Sequence, residues 1–111
     1  MKKLNIPQER LDAYKAFLEE DYKRWTKSDK NYGGFRVFFE IGNKYIKVLA
    51  DDGKGNNTHA HSFIVNKATD KFPVGTILKA ASWKAPATNC GRGDLLTWSF
   101  VHSRIRWSGI V

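Results

Sequence analysis

Steps of three and four residues separate the apolar positions Leu11, Tyr14, Leu18, Tyr22 and Trp25. Such spacing places all five side chains on one stripe of an α-helix, while charged residues occupy the opposite side. Pro7 stands where helices favour proline, in the first turn. The pattern predicts one amphipathic helix over about residues 7–27.

From residue 35 the apolar positions fall on every second residue, which is the period of a half-buried strand. A second run of this kind follows from 44 to 50. Between the two runs stands Gly42-Asn43, a dipeptide suited to a two-residue turn of type II′. The sequence therefore predicts a hairpin with Phe39 opposite Ile46, in which both strands bury the same face.

Four later segments also have strand composition: Thr58 to Val65, Thr76 to Leu78, Leu95 to Val101, and Ser103 to Trp107 after a turn near His102-Ser103. The stretch from Ala80 to Asp94 contains Pro86 and two glycines, and it predicts an ordered loop. A helix with one apolar face must bury that face against another layer. We expect one α+β domain over residues 1–111, in which the N-terminal helix packs on an antiparallel sheet of five or six strands between about residues 35 and 107.

Positive charge is concentrated in the second half of the chain. The net charge is +8, and residues 58–111 hold seven Lys and Arg against two acids. Residues 1–57 are better balanced, with 12 cations against nine acids. Unopposed positive charge attracts nucleic acid, acidic proteins or anionic ligands. The same surplus also keeps a small protein soluble, so charge alone leaves both interpretations open.

Cysteine usage and hydropathy indicate the compartment. Cys90 is the single cysteine, which excludes an internal disulfide and is typical of a reducing environment. No apolar run approaches the roughly 18 residues of a membrane helix. The first residues lack the apolar region of a secretory signal. We expect a cytosolic protein that does not enter a membrane.

Cations and tryptophans are interleaved in the second half. The candidate residues for binding an anion or nucleic acid are Lys79, Trp83, Lys84, Arg92, Arg104 and Arg106. Cations follow phosphates while indole rings stack on bases, which is the composition of single-strand and nucleotide sites. The plainer alternative is that the tryptophans fill the core and the arginines face solvent. The glycine-rich run from Asn89 to Gly93 adds the possibility of a backbone nest for an anion.

Other chemistry has little support in the sequence. His59 and His61 stand two apart on a predicted strand, but no third metal ligand stands at a useful spacing. Cys90 has no evident group to orient a histidine base beside it. The few acids after residue 30 give paired-carboxylate catalysis little to work with. We expect no metal, no cofactor and no enzymatic activity.

The nine residues from Lys79 to Ala87, Lys-Ala-Ala-Ser-Trp-Lys-Ala-Pro-Ala, resemble a box found in small, uncharacterised proteins of tailed bacteriophages. The flanking features of that family match His61-Ser62-Phe63 before the box, and Arg92-Gly93 and Trp107-Ser108-Gly109 after it. The resemblance covers roughly residues 40–109 and departs at Asp70-Lys71, where relatives often have Gly-Asp. It implies fold kinship and a phage setting, hence the host cytoplasm, but no established activity.

These features favour a small basic phage accessory protein that binds a polyanion, either nucleic acid or a nucleotide, stoichiometrically in the infected host. The alternative is an inhibitor of a host protein, a host-takeover or anti-defence factor. Such an inhibitor would dock through the loop around Trp83 or through the amphipathic helix.

Overall fold

A computed structural model describes residues 4–26, 35–53, 55–56, 58–100 and 104–110. Within these ranges the chain forms one helix and eight strands: α1 (Gln8–Thr26), β1 (Arg36–Ile41), β2 (Tyr45–Asp51), β3 (His59–Val65), β4 (Thr76–Lys79), β5 (Gly93–Asp94), β6 (Ser99–Phe100), β7 (Ile105–Arg106) and β8 (Gly109–Ile110). Strands β1 to β6 form one antiparallel sheet in sequence order, and β7 pairs with β8. The predicted α+β fold, with one N-terminal helix on a six-stranded antiparallel sheet, is confirmed.

Helix α1 buries most of the predicted apolar stripe. Leu11, Tyr14 and Leu18 have no exposed surface, and they pack on Val37, Ile64 and other strand residues in the main core. Burying a side chain of this size stabilises a fold by about 2 kcal/mol. The central part of the stripe is therefore used by the fold itself.

The β1–β2 hairpin forms in a register two residues away from the predicted one. Phe39 lies opposite Val48 and not opposite Ile46, so the predicted partner was wrong. A shift of two residues returns every side chain to the same face, because side chains alternate with a period of two. The predicted buried face is therefore correct, and Val37, Ile46 and Val48 are all fully buried.

The turn of this hairpin consists of Asn43 and Lys44, because the Gly42 N–H donates to the Tyr45 carbonyl oxygen at 3.0 Å. Neither Gly42 nor the two turn residues have a positive φ, so the predicted type II′ turn at Gly42-Asn43 is wrong. Asn66 holds the turn from outside: its Nδ2 donates to the Gly42 carbonyl at 2.9 Å, and its main-chain N–H donates to the Lys44 carbonyl at 2.8 Å. This tertiary contact comes from the end of β3, which a local pattern does not reveal.

A bulge interrupts the pairing of β2 with β3. Val48 lies opposite Ser62, whereas the next residue, Leu49, lies opposite Ala60. The extra residue is His61, and both His61 and Ser62 are buried. A bulge removes two consecutive side chains from the regular alternation, which allows both to reach the core.

The side of the sheet away from α1 buries a smaller cluster built on Phe63, Val65 and Leu78, with Ala80 packed against it. Ala80 belongs to a short hairpin over residues 79–87, which we call the Trp83 hairpin. Its ends are joined where Ala80 pairs with Pro86 and where the Ala87 N–H donates to the Lys79 carbonyl at 2.7 Å. The predicted loop from Ala80 to Asp94 thus contains a hairpin and the short strand β5.

The predicted strand from Leu95 to Val101 is wrong in its first part, because Leu95 to Trp98 form the turn between β5 and β6. The Asp94 carboxylate accepts the Leu96 N–H at 2.8 Å, which is the local bond that starts many turns. Trp98 has a φ of 57°, in the left-handed region that a strand does not tolerate. Val101 lies outside the described residues.

Strand β7 falls inside the predicted last strand, and it turns back at once into β8. Ile105 of β7 and Ile110 of β8 are buried in the main core. The predicted turn near His102-Ser103 lies outside the residues that the structure describes.

Candidate functional site

The tip of the Trp83 hairpin carries an exposed tryptophan. The N–H groups of Ala81 and Ser82 donate to the Ala85 carbonyl at 3.0 and 3.1 Å, which closes the turn around Trp83 and Lys84. Trp83 is 47% exposed, although large apolar side chains are usually buried. The local bonds therefore hold an indole ring out toward solvent.

Lys47 of β2 holds this ring in place. Its Nζ lies 4.6 Å from the centre of the Trp83 ring, a cation–π contact that contributes about 1 kcal/mol at an exposed site. Lys47 pairs with Phe63 and therefore lies on the side of the sheet away from α1. The hairpin thus reaches from β4 across β3 to β2. Sequence reasoning missed Lys47, whose only signal is a lysine inside an otherwise apolar strand.

Two predicted cations lie on the Trp83 hairpin, Lys79 at its base and Lys84 at its tip. Lys79 and Lys84 are exposed and form no ion pair with any described residue. Lys79 is opposite Ser62, whose hydroxyl contacts α1, so its side chain starts from the helix side of the sheet. Lys47 starts from the other side. Trp83 and Lys47 are therefore in contact, Lys84 follows Trp83 at the tip of the hairpin, and Lys79 lies at its base.

Arg106 is already bound within the protein. Its Nε donates to Asp21 Oδ2 at 3.1 Å, and the Trp107 N–H donates to the same oxygen at 2.9 Å. The Asp21 side chain is only 10% exposed. Arg104, one residue before β7, is exposed. The structure thus places Arg106 on β7 and Arg104 one residue before it, and no described contact joins either arginine to the Trp83 hairpin.

Arg36 is also neutralised by an acid. Its guanidinium donates through two nitrogens to Asp51, the residue opposite it on β2. These hydrogen bonds lower the pKa of Asp51 below its ordinary value, against the opposing effect of burial. In the described part of the chain, ion pairs thus engage Arg36 and Arg106, whereas Lys47, Lys79 and Lys84 have none.

Arg92 and the glycines beside it are constrained by packing. The Arg92 N–H donates to the Ile77 carbonyl at 2.7 Å, so it is not free to cradle an anion. A Cβ at Gly91 would lie 2.9 Å from Thr76 Cγ2, and one at Gly93 would overlap Phe100. The predicted backbone nest is therefore wrong at Arg92. The Arg92 Nε is shielded from solvent and makes no hydrogen bond within the described ranges.

A chain of buried hydrogen bonds links α1, β3 and β7. Tyr14 Oη lies 3.0 Å from Ser62 Oγ, which lies 2.8 Å from His61 Nδ1, and His61 Nε2 lies 2.6 Å from the Arg106 carbonyl oxygen. A carbonyl only accepts, so His61 donates from Nε2. In a neutral ring Nδ1 then accepts from Ser62, whose oxygen accepts from Tyr14.

Burial fixes the charge state of this network. Burial lowers the pKa of His61 to about 4, although its bond to the Arg106 carbonyl opposes the change. Burial also raises the pKa of Tyr14 far above its ordinary value. Ser62 has no exposed surface, so a substrate cannot reach it as a nucleophile. The network therefore serves the fold and orients β7.

His59, the other predicted strand histidine, is exposed while His61 is buried. Among the described residues, no group of three His, Cys, Asp or Glu side chains could hold a metal ion. Cys90 is exposed and is not part of a disulfide.

A second aromatic group lies at the end of α1. Tyr22 stacks on Phe35 with ring centres 5.2 Å apart, and Trp107 lies 4.9 Å from both Tyr22 and Trp25. Trp25 is 59% exposed. The last member of the helical stripe is therefore an exposed tryptophan, and it provides a natural comparison for Trp83.

No helix within the described ranges is long and apolar enough to cross a membrane. Neither a curated protein nor a solved structure matches the chain. Residues 3–111 match a protein family, DUF7717, that is described as a family of unknown function. The match includes α1 as well as the sheet and the Trp83 hairpin. The chain therefore belongs to the family DUF7717.

Proposed function

We propose that this protein is a small basic phage accessory protein that binds a polyanion, nucleic acid or a nucleotide, in the cytoplasm of the infected host. The supporting observation is the half-exposed Trp83 indole at a hairpin tip, with the Lys47 ammonium 4.6 Å from its centre. The phage setting follows from the resemblance of residues 79–87 to the phage box.

The chemistry of the hairpin suits a nucleic-acid chain better than a folded acidic surface. The exposed part of an indole ring stacks on any base, since every base has a flat face. Lys84 next to Trp83 and Lys79 at the base of the hairpin have no acidic partner among the described residues and can follow phosphates. Lys47 limits the motion of the ring before a ligand arrives, which reduces the entropy lost on binding.

Ion pairing within the protein supports a revised set of proposed contacts. Arg106 is held by Asp21, so we propose Trp83, Lys84, Lys79 and Lys47 as the first contacts. Arg92 and Arg104 stay predictions, because no described contact joins either one to the Trp83 hairpin.

A salt titration tests the proposal. We expect a labelled single strand of about 16 nucleotides to bind at low salt, with affinity falling steeply between roughly 50 and 200 mM. Trp83→Ala should weaken binding about tenfold through loss of base stacking. Trp25→Ala removes an indole that is more exposed, yet it should leave the affinity unchanged. Undetectable binding at low salt, affinity independent of salt, or equal losses in both variants would reject the proposal.

The alternative is an inhibitor of a host protein that docks through the Trp83 hairpin or through α1. Leu11, Tyr14 and Leu18 are buried, so only the end of the α1 stripe, at the exposed Trp25, is available to a partner. An exposed tryptophan is a frequent anchor in protein interfaces, so the Trp83 hairpin still suits this role. A host protein that is retained after nuclease treatment, and lost with Trp83→Ala, would support the alternative over nucleic-acid binding.

A further inference from the structure

Among the described residues, only β2 pairs with strand β1, so β1 is an edge of the six-stranded sheet. In an antiparallel pair, alternate residues direct their N–H and C=O groups toward the neighbouring strand or away from it. The Gly42 N–H donates to Tyr45, across the hairpin, so even-numbered residues of β1 face inward. The odd-numbered residues Val37, Phe39 and Ile41 therefore direct their main-chain groups outward.

Two side chains of α1 confirm this direction at Val37. The Val37 N–H donates to Glu19 Oε2 at 2.9 Å, and the Val37 carbonyl accepts from Lys15 Nζ at 2.7 Å. Lys15 and Glu19 are themselves paired at 2.8 Å. The ion pair thus takes the place of a neighbouring strand at Val37, which protects this part of the edge.

The protection ends after one residue. Within the described ranges, no group donates to or accepts from the outward N–H and C=O of Phe39 and Ile41. Both side chains are partly buried and pack against the main core. Glu40 between them is exposed and lies opposite Lys47 on β2. An open edge of two outward residues offers four main-chain hydrogen bonds to an added strand.

We propose that the open edge at Phe39 and Ile41 binds an extended segment of a partner protein as an added antiparallel strand. The segment carries Lys or Arg opposite Glu40, with an apolar residue on each side. Directly opposite residues of opposite charge stabilise strand pairs, and apolar residues facing Phe39 and Ile41 extend the apolar edge of the core.

A second copy of this chain is a poor occupant of the edge. Two copies could pair their β1 strands through Phe39 and Ile41 alone. Glu40 would then lie directly opposite Glu40 of the second copy, and like charges directly opposite each other are destabilising. The register that pairs Phe39 with itself requires the main-chain groups of Val37, which the Lys15–Glu19 ion pair already binds. Charge complementarity therefore favours a different chain with a basic centre.

Synthetic pentapeptides provide the probe: acetyl-Thr-Val-Lys-Val-Thr-amide and its counterpart with Glu at the centre. With the ¹⁵N-labelled full chain, the Lys peptide should shift the amide signals of Phe39 and Ile41. It should bind about fivefold more tightly than the Glu peptide. Glu40→Lys, a change at an exposed position, should reverse this preference. A Lys peptide N-methylated at both valines should lose binding, because those residues form the strand hydrogen bonds.

Several results would overturn the proposal: no shift of either amide at millimolar peptide, the same peptide preference in the Glu40→Lys variant, or undiminished binding of the N-methylated peptide. Self-association that protects the Phe39 and Ile41 amides without peptide would also overturn it. Glu40 lies opposite Lys47 of the proposed polyanion site. The readouts use a peptide and the Phe39 and Ile41 amides and no nucleic acid, so failure of this proposal is distinguishable from failure of the polyanion proposal.

Discussion

His61 is held neutral inside the protein by burial and by the direction of its hydrogen bonds. Protonation would turn Nδ1 from an acceptor into a donor, so Ser62 would have to donate to Tyr14 instead. The Tyr14 hydroxyl would then lose its acceptor in a site without solvent. A single proton at His61 thus disturbs three buried groups, which explains why the folded state resists it.

This network predicts a pH dependence of stability that begins above the range of the carboxylates. The pKa of His61 falls from 6.5 to about 4 on folding, so the unfolded chain binds the extra proton first. The contribution of neutral His61 to the free energy of unfolding is complete above about pH 6.5 and decreases as the pH falls toward 4. Between pH 7 and 5 the free energy of unfolding should drop by about 2 kcal/mol. Urea denaturation at these two pH values measures the drop.

The matched control is His59, which is exposed on the same strand. His59→Gln should retain the decrease between pH 7 and 5, whereas His61→Gln should remove most of it. An NMR titration that places the pKa of His61 near 6.5 in the folded protein would contradict the prediction.

Ser62 is the middle member of the network and should be its most sensitive position. Ser62→Ala deprives Tyr14 of its acceptor and His61 of its donor, leaving two buried polar groups unpaired. Tyr14→Phe removes one end and leaves the Ser62–His61 bond intact. We expect a loss of about 3 kcal/mol for Ser62→Ala and about 1 kcal/mol for Tyr14→Phe.

The double variant provides a sharper measurement than either single change. Adding Tyr14→Phe to Ser62→Ala removes the unpaired hydroxyl and should recover part of the lost stability. Strictly additive losses in urea denaturation would show that the two hydroxyls do not interact.

At the scale of elements, the contact between β5 and β6 depends on Gly93. A Cβ at this position would overlap Phe100 Cβ and lie 2.9 Å from the Ser99 carbonyl oxygen, both in the facing strand. Gly109 has a similar φ, 142° against 150°, but no described atom lies within 4 Å of its added Cβ. A side chain at either position would strain the backbone, because both φ values are positive. Only at Gly93 would the added Cβ also collide with neighbouring atoms.

This difference predicts the order of two alanine variants. Gly93→Ala should reduce the free energy of unfolding by about 2 kcal/mol more than Gly109→Ala, because crowding adds to the shared strain. Thermal or urea denaturation of both variants measures the difference. Equal losses would mean that β6 moves aside without cost.

The sequence pattern predicted those elements in which apolar residues recur with a regular period, every three or four residues in α1 and every second residue in β1. The spacing of Leu11, Tyr14 and Leu18 located α1, and alternation in β1 identified its buried face. The patterns failed where distant residues determine the structure. Asn66 sets the β1–β2 turn, and the Trp83 hairpin crosses β3 to reach Lys47 on β2. A single sequence contains no signal for such contacts.

The sequence predicted only part of the candidate site, because contacts between distant residues also determine which cations are available. Composition identified Trp83 and Lys84, because an aromatic residue among cations is a local feature. It also included Arg106, since nothing in the sequence indicates that Asp21, 85 residues away, binds its guanidinium. Charge counts treat paired and unpaired cations alike, so only the fold separates them.

At the scale of the whole molecule, cations that are paired with acids and cations that are unpaired have different roles. Arg106 ties β7 to α1 through Asp21, whose side chain is only 10% exposed. Lys84 lies at the tip of the Trp83 hairpin, and no acid in the described part of the chain pairs with it. One of these cations should therefore stabilise the fold, and the other should serve binding.

Matched changes to glutamine test the two roles, because each removes one positive charge. Arg106→Gln should lower the free energy of unfolding by about 1 kcal/mol, since the nearly buried Asp21 carboxylate loses the nearer of its two arginine partners. It should leave unchanged the slope of log affinity against log salt for single-stranded DNA, measured where the variant is folded. Lys84→Gln should leave stability unchanged and reduce that slope by about 1, the loss of one phosphate contact. A reduced slope for Arg106→Gln with unaltered stability would mean that Asp21 releases the arginine to the ligand, and the binding surface would then extend to β7.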